Sequence, residues 1–426
     1  MNSARSAVEA DNGGPELLKK IEIEKLRMGM YITEFCGSWM EHPFWNTKFV
    51  LEDPDDLSRI RDSGIKELWI DVSRGEDVDG GMSTAEVEAR SESELLVASA
   101  GAQASGPRVS ASDELMRARK ICGAAKQAVE AMFREARMGR SLDTQALKPM
   151  VDEISSSVAR HPGALVSLAR LKTKDDYTYM HSVAVCGLML SLARRLGLDD
   201  ATTREAGLAG LVHDLGRAVV PNAVLNKPGK LTDDEFRVMR GHPGAGHAML
   251  LEGGGAGDIA LDVVLHHHEK VDGSGYPHKL KGEQISLFAK MGAVCDVYDA
   301  ITSNRPYKAG WDPSEALRKM TEWTGHFDTE IFHNFIKCVG IYPLGSLVRL
   351  ESGLLGVVTD VRPDALLKPV VKAFYCTRRR QRFLPRLIDL GKPYARDRIA
   401  GWESRDKWRF PDIDEMWTDN RLPIPA

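Results

Sequence analysis

Seven residues stand out for the chemistry they could do: His181, the adjacent pair His213 and Asp214, His242, the pair His267 and His268, and Asp296. Imidazole and carboxylate are the side chains that hold borderline and hard divalent cations, and a set of this size can ligate two ions with one carboxylate shared between them. Two cations so bridged activate water and clamp an anionic ester, so the pattern points to a two-metal hydrolase site. Taken singly the residues say less, because a lone histidine on an apolar helix face is more often a hydrogen-bonded core residue. The run His266, His267 and His268 after Val263-Val264-Leu265 resists that plainer account, since at least one imidazole must face inward.

Helices must position these groups. A helix from about Asp175 to Leu196 places His181 on the face that carries Val185 and Leu188. A helix over 201–216 ends in Leu211-Val212-His213-Asp214, where an aspartate carries a large desolvation cost unless a metal or a salt bridge to Arg217 stabilises it. Thr232 and Glu235 form a capping box that opens a helix expected to deliver His242 just ahead of Pro243. A helix from about Asp258 closes on the histidine run, and an apolar helix carries Asp296. Asp299 shares that helix face; it either orients a ligating histidine or closes a helix-to-loop hydrogen bond, and both readings stand.

The 426 residues suffice for two or three domains, and 43 % hydrophobic residues for a sizeable core. A balance of 57 basic against 61 acidic side chains argues against DNA or long RNA as a partner. Six cysteines without a C-x-x-C pair argue against a disulfide framework or zinc ribbon and suit a reducing cytoplasm. The N-terminus lacks a signal-peptide pattern, and the longest apolar stretch, near Ala184 to Ala193, is too short for a membrane span. The expected fold is mainly α. Residues 1–18 read as disordered and 19–75 as a small α+β domain, with strands near Ile21–Ile23, Gly29–Ile32 and Glu67–Asp71 and a helix over Pro54–Asp62. Residues 76–111, rich in Gly, Ser, Ala and Glu, read as a flexible linker. Residues 112–340 read as helical, opening with a helix capped by Ser112 and a second over Asp143–Ala159. Residues 341–426 read as a β-rich appendage, with strands at Leu347–Leu350, Gly356–Thr359 and Val370–Tyr375, and a tryptophan-bearing tail packed on the body. Arg378, Arg379, Arg380, Arg382 and Arg386 read as a solvated basic hairpin.

In order and wording these motifs resemble a known family. His213-Asp214, then His267-His268-Glu269-Lys270-Val271-Asp272-Gly273-Ser274-Gly275-Tyr276-Pro277, then Asp296-Val297-Tyr298-Asp299-Ala300-Ile301-Thr302-Ser303 with Arg305-Pro306-Tyr307-Lys308, look like the HD-GYP branch of the HD-domain phosphohydrolases. The likeness covers roughly Ala169 to Gly340, and the stretch from Ile21 to Gly75 is similar to an uncharacterised domain often found ahead of HD-GYP domains in bacteria. The resemblance implies a helical domain that hydrolyses cyclic di-GMP to the linear dinucleotide pGpG, with onward conversion to GMP left open.

Carried over position by position, the resemblance puts His181, His213, Asp214 and Asp296 around one divalent metal, and His242, His267 and His268 around a second bridged by Asp214. It suggests iron or manganese; the ligand types also admit zinc or nickel. Asp214, Arg217, Arg305 and Lys308 are the implied catalytic residues, with the basic ones neutralising phosphate oxygens. The plain alternative for Arg305 and Lys308 is an answer to a helix macrodipole. Gly275, Tyr276 and Pro277 would lie on a loop beside the site and contact diguanylate cyclase (GGDEF) domains, or simply form a glycine turn. Two positions depart from the family pattern. Tyr177 stands where some members carry a glutamate that holds a third metal, so two metals are expected, and Arg217 replaces the usual lysine. A weakly catalytic cyclic di-GMP receptor and a phosphohydrolase of another nucleotide are the competing readings, and a homodimer is compatible with all three.

Overall fold

The computed structural model describes residues 17–37, 48–101, 109–140, 143–171, 177–227, 231–304 and 310–418. The architecture is mainly α with two small antiparallel sheets, and the chain divides into two compact units, residues 1–90 and 91–426.

In the first unit, strands β1 (Leu18–Glu22), β2 (Tyr31–Phe35), β3 (Phe49–Val50), β4 (Glu67–Asp71) and β5 (Met82–Ser83) form a sheet in the order β3-β2-β4-β1-β5. Helix α1 (Pro54–Asp62) opens where the Asp53 carboxylate accepts the Asp55 amide, with proline in its first turn, where no amide donor is needed. Ile21, Leu26, Ile32, Leu51, Ile60, Leu68 and Ile70 close the core between helix and sheet. The strand expected through Ile23 stops at Glu22, where a 3₁₀ turn takes over.

Where composition predicts a flexible linker over 76–111, the structure has strand β5 and helix α2 (Thr84–Ser99). The alanines and glutamates that look like linker material are also strong helix formers, and Val87, Ser91, Leu95 and Ala98 bury one helical stripe.

In the second unit, α3 (Ala111–Arg137) is capped by Ser110, not Ser112: the Ser110 hydroxyl accepts the Asp113 amide at 3.2 Å. The helix expected from Asp143 begins as a 3₁₀ turn and becomes α4 (Lys148–Arg160) only at Lys148, after which α5 (Pro162–Arg170) follows. Buried Glu114 ties α3 to α4, accepting two hydrogen bonds from Arg160 and one from Ser157, each at 2.7 Å. At the centre is α6 (Tyr177–Arg195), buried without interruption from Met180 to Ala193. Around it run α7 (Asp200–Val212), α8 (Asn222–Leu225), α9 (Asp233–Arg240), α10 (His242–Gly253), α11 (Asp258–His266), α12 (Leu287–Thr302), α13 (Pro313–Thr321) and α14 (Thr329–Val339).

The C-terminal strands β6 (Leu347–Leu350), β7 (Leu354–Asp360), β8 (Val370–Cys376), β9 (Gln381–Asp389) and β10 (Ile399–Trp402) form a sheet in the order β10-β6-β7-β8-β9. Two short helices, α15 (Arg405–Trp408) and α16 (Ile413–Thr418), follow, and Ile413 and Trp417 pack with Leu115, Ala164, Leu347 and Phe374, so the tail lies on the helical body. Part of the basic run is engaged there, since Arg382 pairs with Asp412 at 2.5 Å and sits over the Phe410 ring. Among the described residues no helix is long and apolar enough to cross a membrane.

Candidate metal centre

The seven imidazoles and carboxylates come from five places in the chain and converge inside the helical unit. Helix α6 supplies His181, the turn after α7 supplies His213 and Asp214, α10 supplies His242, the end of α11 supplies His267 and His268, and α12 supplies Asp296. All are buried, none more than 5 % exposed. His242 arrives differently from the sequence expectation: α9 stops at Arg240 and His242 opens α10, because Pro243 fits only the first turn of a helix. Gly216 lets this happen, since a Cβ there would lie 1.9 Å from the His242 carbonyl oxygen.

Four of the five histidines, all but His268, are aimed by the far nitrogen. Nδ1 of His213 donates to the Gly210 carbonyl at 2.8 Å, Nδ1 of His242 to the Met239 carbonyl at 2.8 Å, and Nδ1 of His267 to the Val263 carbonyl at 3.0 Å. Nδ1 of His181 donates to the Asp299 carboxylate at 2.7 Å. Carbonyls and carboxylates only accept, so Nδ1 carries the proton and Nε2 is left to take a metal or a second proton.

Asp214 joins two groups of ligands. Its Oδ2 lies 3.4 Å from Nε2 of both His181 and His213, and its Oδ1 lies 3.3 Å from His242 Nε2 and 3.9 Å from His267 Nε2. Asp296 Oδ1 is 2.9 Å from His181 Nε2. His181, His213 and Asp296 can hold one cation, and His242, His267 and His268 another, with donor atoms within 4.8 Å of one another in each group. Nε2 of His213 and of His268 and the carboxylate oxygens of Asp214 and Asp296 are buried without a well-formed hydrogen bond among the described residues, the ion-pair contacts of Asp214 with Arg217 and of Asp296 with His181 apart, and Nε2 of His242 faces Nε2 of His267 at 3.3 Å. Buried polar atoms left in this state cost free energy, and a cation among them removes that cost. The donor set therefore fits two divalent ions.

The charges agree. Burial would raise the Asp214 carboxyl, but Arg217, His213 and His242 hold it well below the usual range; Asp296 is held down likewise, against burial, by His181 and His213. Burial drives His267 down to about 3, aided by His213 and His242, and lowers His268 as well, so both stay neutral. Burial opposes charge on His213, yet Asp214 and Asp296 push it up to about 10, so a proton stands there when a cation does not.

Comparison with known proteins bears on this geometry. A model described as an HD domain matches residues 154–331, and one described as a domain of unknown function matches residues 18–147. A protein of Pseudomonas aeruginosa named as a cyclic di-GMP phosphodiesterase is 53 % identical over 403 residues, covering 94 % of this chain and 96 % of that protein. The chain belongs to the same HD-domain family. A cyclic di-GMP phosphodiesterase response regulator of Xanthomonas campestris is 46 % identical over 31 % of this chain and 35 % of its own. A 3'3'-cGAMP-specific phosphodiesterase of Vibrio cholerae is 33 % identical over 38 % of each.

Within this HD domain, Arg217 is buried with its Nε 2.8 Å from Asp214 Oδ1, so its charge faces the shared carboxylate. Tyr177 stacks on His181, ring centroids 5.8 Å apart. Arg305 and Lys308 lie outside the described residues. The loop carrying Gly275, Tyr276 and Pro277 folds beside the site: Tyr276 stacks on His268 at 4.7 Å, and a Cβ on Gly275 would meet the Lys270 amide nitrogen at 2.4 Å. His266 turns away from the ligand groups toward Asp262 (2.7 Å) and His278 (3.0 Å). Sequence reasoning passed over Glu269, whose buried carboxylate accepts the His278 and Leu280 amides at 2.7 and 3.0 Å and fixes the loop. An acid directly after paired histidines at a helix end was the available signal.

Proposed function

We propose that the chain is a metal-dependent phosphodiesterase that hydrolyses cyclic di-GMP to linear pGpG, with GMP as a further product to be tested. The observation that carries this reading is Asp214, one oxygen facing each ligand group, in a chain that matches a relative named for this activity over nearly its whole length.

His181, His213, Asp214 and Asp296 would hold one cation, and Asp214, His242, His267 and His268 the other; iron or manganese suits the site, and zinc or nickel is compatible with its donors. When bound, such ions supply an acidified water and positive charge for the phosphoryl oxygens. The chain's own residues do the rest. Asp299 holds His181 in one ring orientation, and Arg217 keeps Asp214 anionic. Arg305 and Lys308 are proposed to neutralise the non-bridging oxygens. Helices packed around the centre keep bulk water from it. The loop at Gly275–Pro277 is the proposed contact for GGDEF domains; a homodimer and a cytoplasmic location complete the reading.

Purified protein loaded anaerobically with ferrous iron or manganese should convert cyclic di-GMP to pGpG. The Vibrio relative supports one second reading, a preference for 3'3'-cGAMP, so that nucleotide belongs in the same assay. Tight binding of cyclic di-GMP without product would replace the hydrolase by a receptor, and turnover confined to another nucleotide would replace the substrate.

A further inference from the structure

The end of α9 places a guanidinium beside the metal centre that neither the ligand set nor the loop motif accounts for. Arg240 lies two residues before His242, with its guanidinium carbon 4.6 Å from the centroid of the Tyr276 ring and 4.9 Å from that of Phe236. Tyr276 in turn stacks on His268, rings 4.7 Å apart at 23°. Arginine, tyrosine and a candidate metal ligand therefore lie in successive contact, and the stack leads from the cation toward the site.

A guanidinium over an aromatic ring uses its face and leaves its in-plane N–H groups to seek acceptors. Nε of Arg240 is buried and has no hydrogen-bond partner among the described residues. Its neighbours on α9 are otherwise occupied: Asp234 pairs with Arg237, and Glu235 with Lys227. Arg217, the other described arginine at the centre, points at Asp214. Arg240 is half-buried, with only its Nε shut off from solvent; that shielded donor lacks an acceptor, and an anionic oxygen lying against the metal centre would supply one.

We propose that Arg240 is a substrate-binding residue that donates to a phosphate oxygen of the cyclic dinucleotide, held at the right height by Tyr276 and Phe236. This rests on the phosphodiesterase reading. The plainer account, a basic residue answering the C-terminal dipole of α9, requires neither the stack on the loop tyrosine nor a buried Nε.

The test compares Arg240→Ala and Arg240→Lys with the unaltered full-length chain, each loaded with manganese, for metal content and for steady-state hydrolysis of cyclic di-GMP and of bis(p-nitrophenyl) phosphate. In Arg240→Ala the KM for cyclic di-GMP should rise about 30-fold, the loss of one charge-assisted hydrogen bond, with kcat falling about threefold or less. Arg240→Lys should recover part of that KM, and both variants should keep the metal content of the unaltered chain. A KM within twofold of the unaltered value, or loss of metal from Arg240→Ala, overturns the proposal, the second by making Arg240 a prop for Tyr276 and His268. If the unaltered chain cleaves neither compound, the hydrolase reading fails, and calorimetric titration with cyclic di-GMP then decides: weaker binding by Arg240→Ala supports the role, while equal binding, or none by any chain, rejects it.

Discussion

The two ligand groups neutralise themselves to different degrees. Around His181, His213 and Asp296, acid and base alternate, with His181 Nε2 2.9 Å from Asp296, its Nδ1 2.7 Å from Asp299, and His213 3.4 Å from Asp214. Around His242, His267 and His268 there are three imidazoles, two of them held by backbone carbonyls, and the nearest carboxylate oxygen is Asp214 Oδ1, 3.3 Å from His242. The first group can exchange a cation for a proton and stay balanced. The second sets Nε2 of His242 against Nε2 of His267 with one carboxylate oxygen nearby, so it gains more from a cation. The contrast assigns Asp214 the task of coupling a self-sufficient half to a dependent one.

Removing that coupling should have the largest effect. Asp214→Ala should lower both metal content and cyclic di-GMP hydrolysis, the latter by at least about 10³-fold. Elemental analysis beside the assay checks it; a variant that keeps both metals would show that the halves are independent. Next comes Asp299→Asn, which leaves every proposed ligand in place but turns the His181 partner neutral. Metal affinity or activity should fall by about 10- to 100-fold. Loss confined to the trio would mean that the halves differ in some other way.

The pH dependence of the chelated protein should separate the halves directly. His267 has a folded pKa of about 3, far below its value in the unfolded chain, so below about pH 6.5 the unfolded state binds the extra proton and stability falls with pH. His213 is raised to about 10, so its contribution is fully present below pH 6.5 and is lost only as pH rises through 10. Between pH 7 and 5 only the trio weakens, by about 2 kcal/mol from His267. The melting temperature of chelated protein should therefore drop across this window; restored metal should flatten the slope, and His267→Gln should reduce it, His268 keeping the remainder. The smallest effect is expected at the loop. Glu269→Gln retains an acceptor but loses its charge, and hydrolysis should fall only a few-fold, about 1 kcal/mol, with metal content unchanged.

Much of the site was legible because its residues break the rules of the helices that carry them. His181 is set among apolar positions at helical spacing, Asp214 ends an apolar run, and three imidazoles follow Leu265. Burial without compensation can be read from a string of letters. What the letters hide is pairing across the chain. That the Asp299 carboxylate gives one oxygen to His181 and the other to Ser303 just past α12, and that Arg240 stacks on Tyr276, depend on how α6, α9, α12 and the loop after α11 meet. Local misreadings have local causes: alanine and glutamate suit helix α2 as well as a linker, and Ser110 and Ser112 are equally good caps until the first helical turn is placed.

The C-terminal sheet carries one further implication. Its outer strands are β9 and β10; the first holds Pro385, which has no amide to offer, between exposed Arg382 and Arg386, and the second is four residues long with an irregularity between Ile399 and Gly401. Both rims are poor templates for backbone pairing by another chain, so fibrous growth through this sheet is disfavoured at either end.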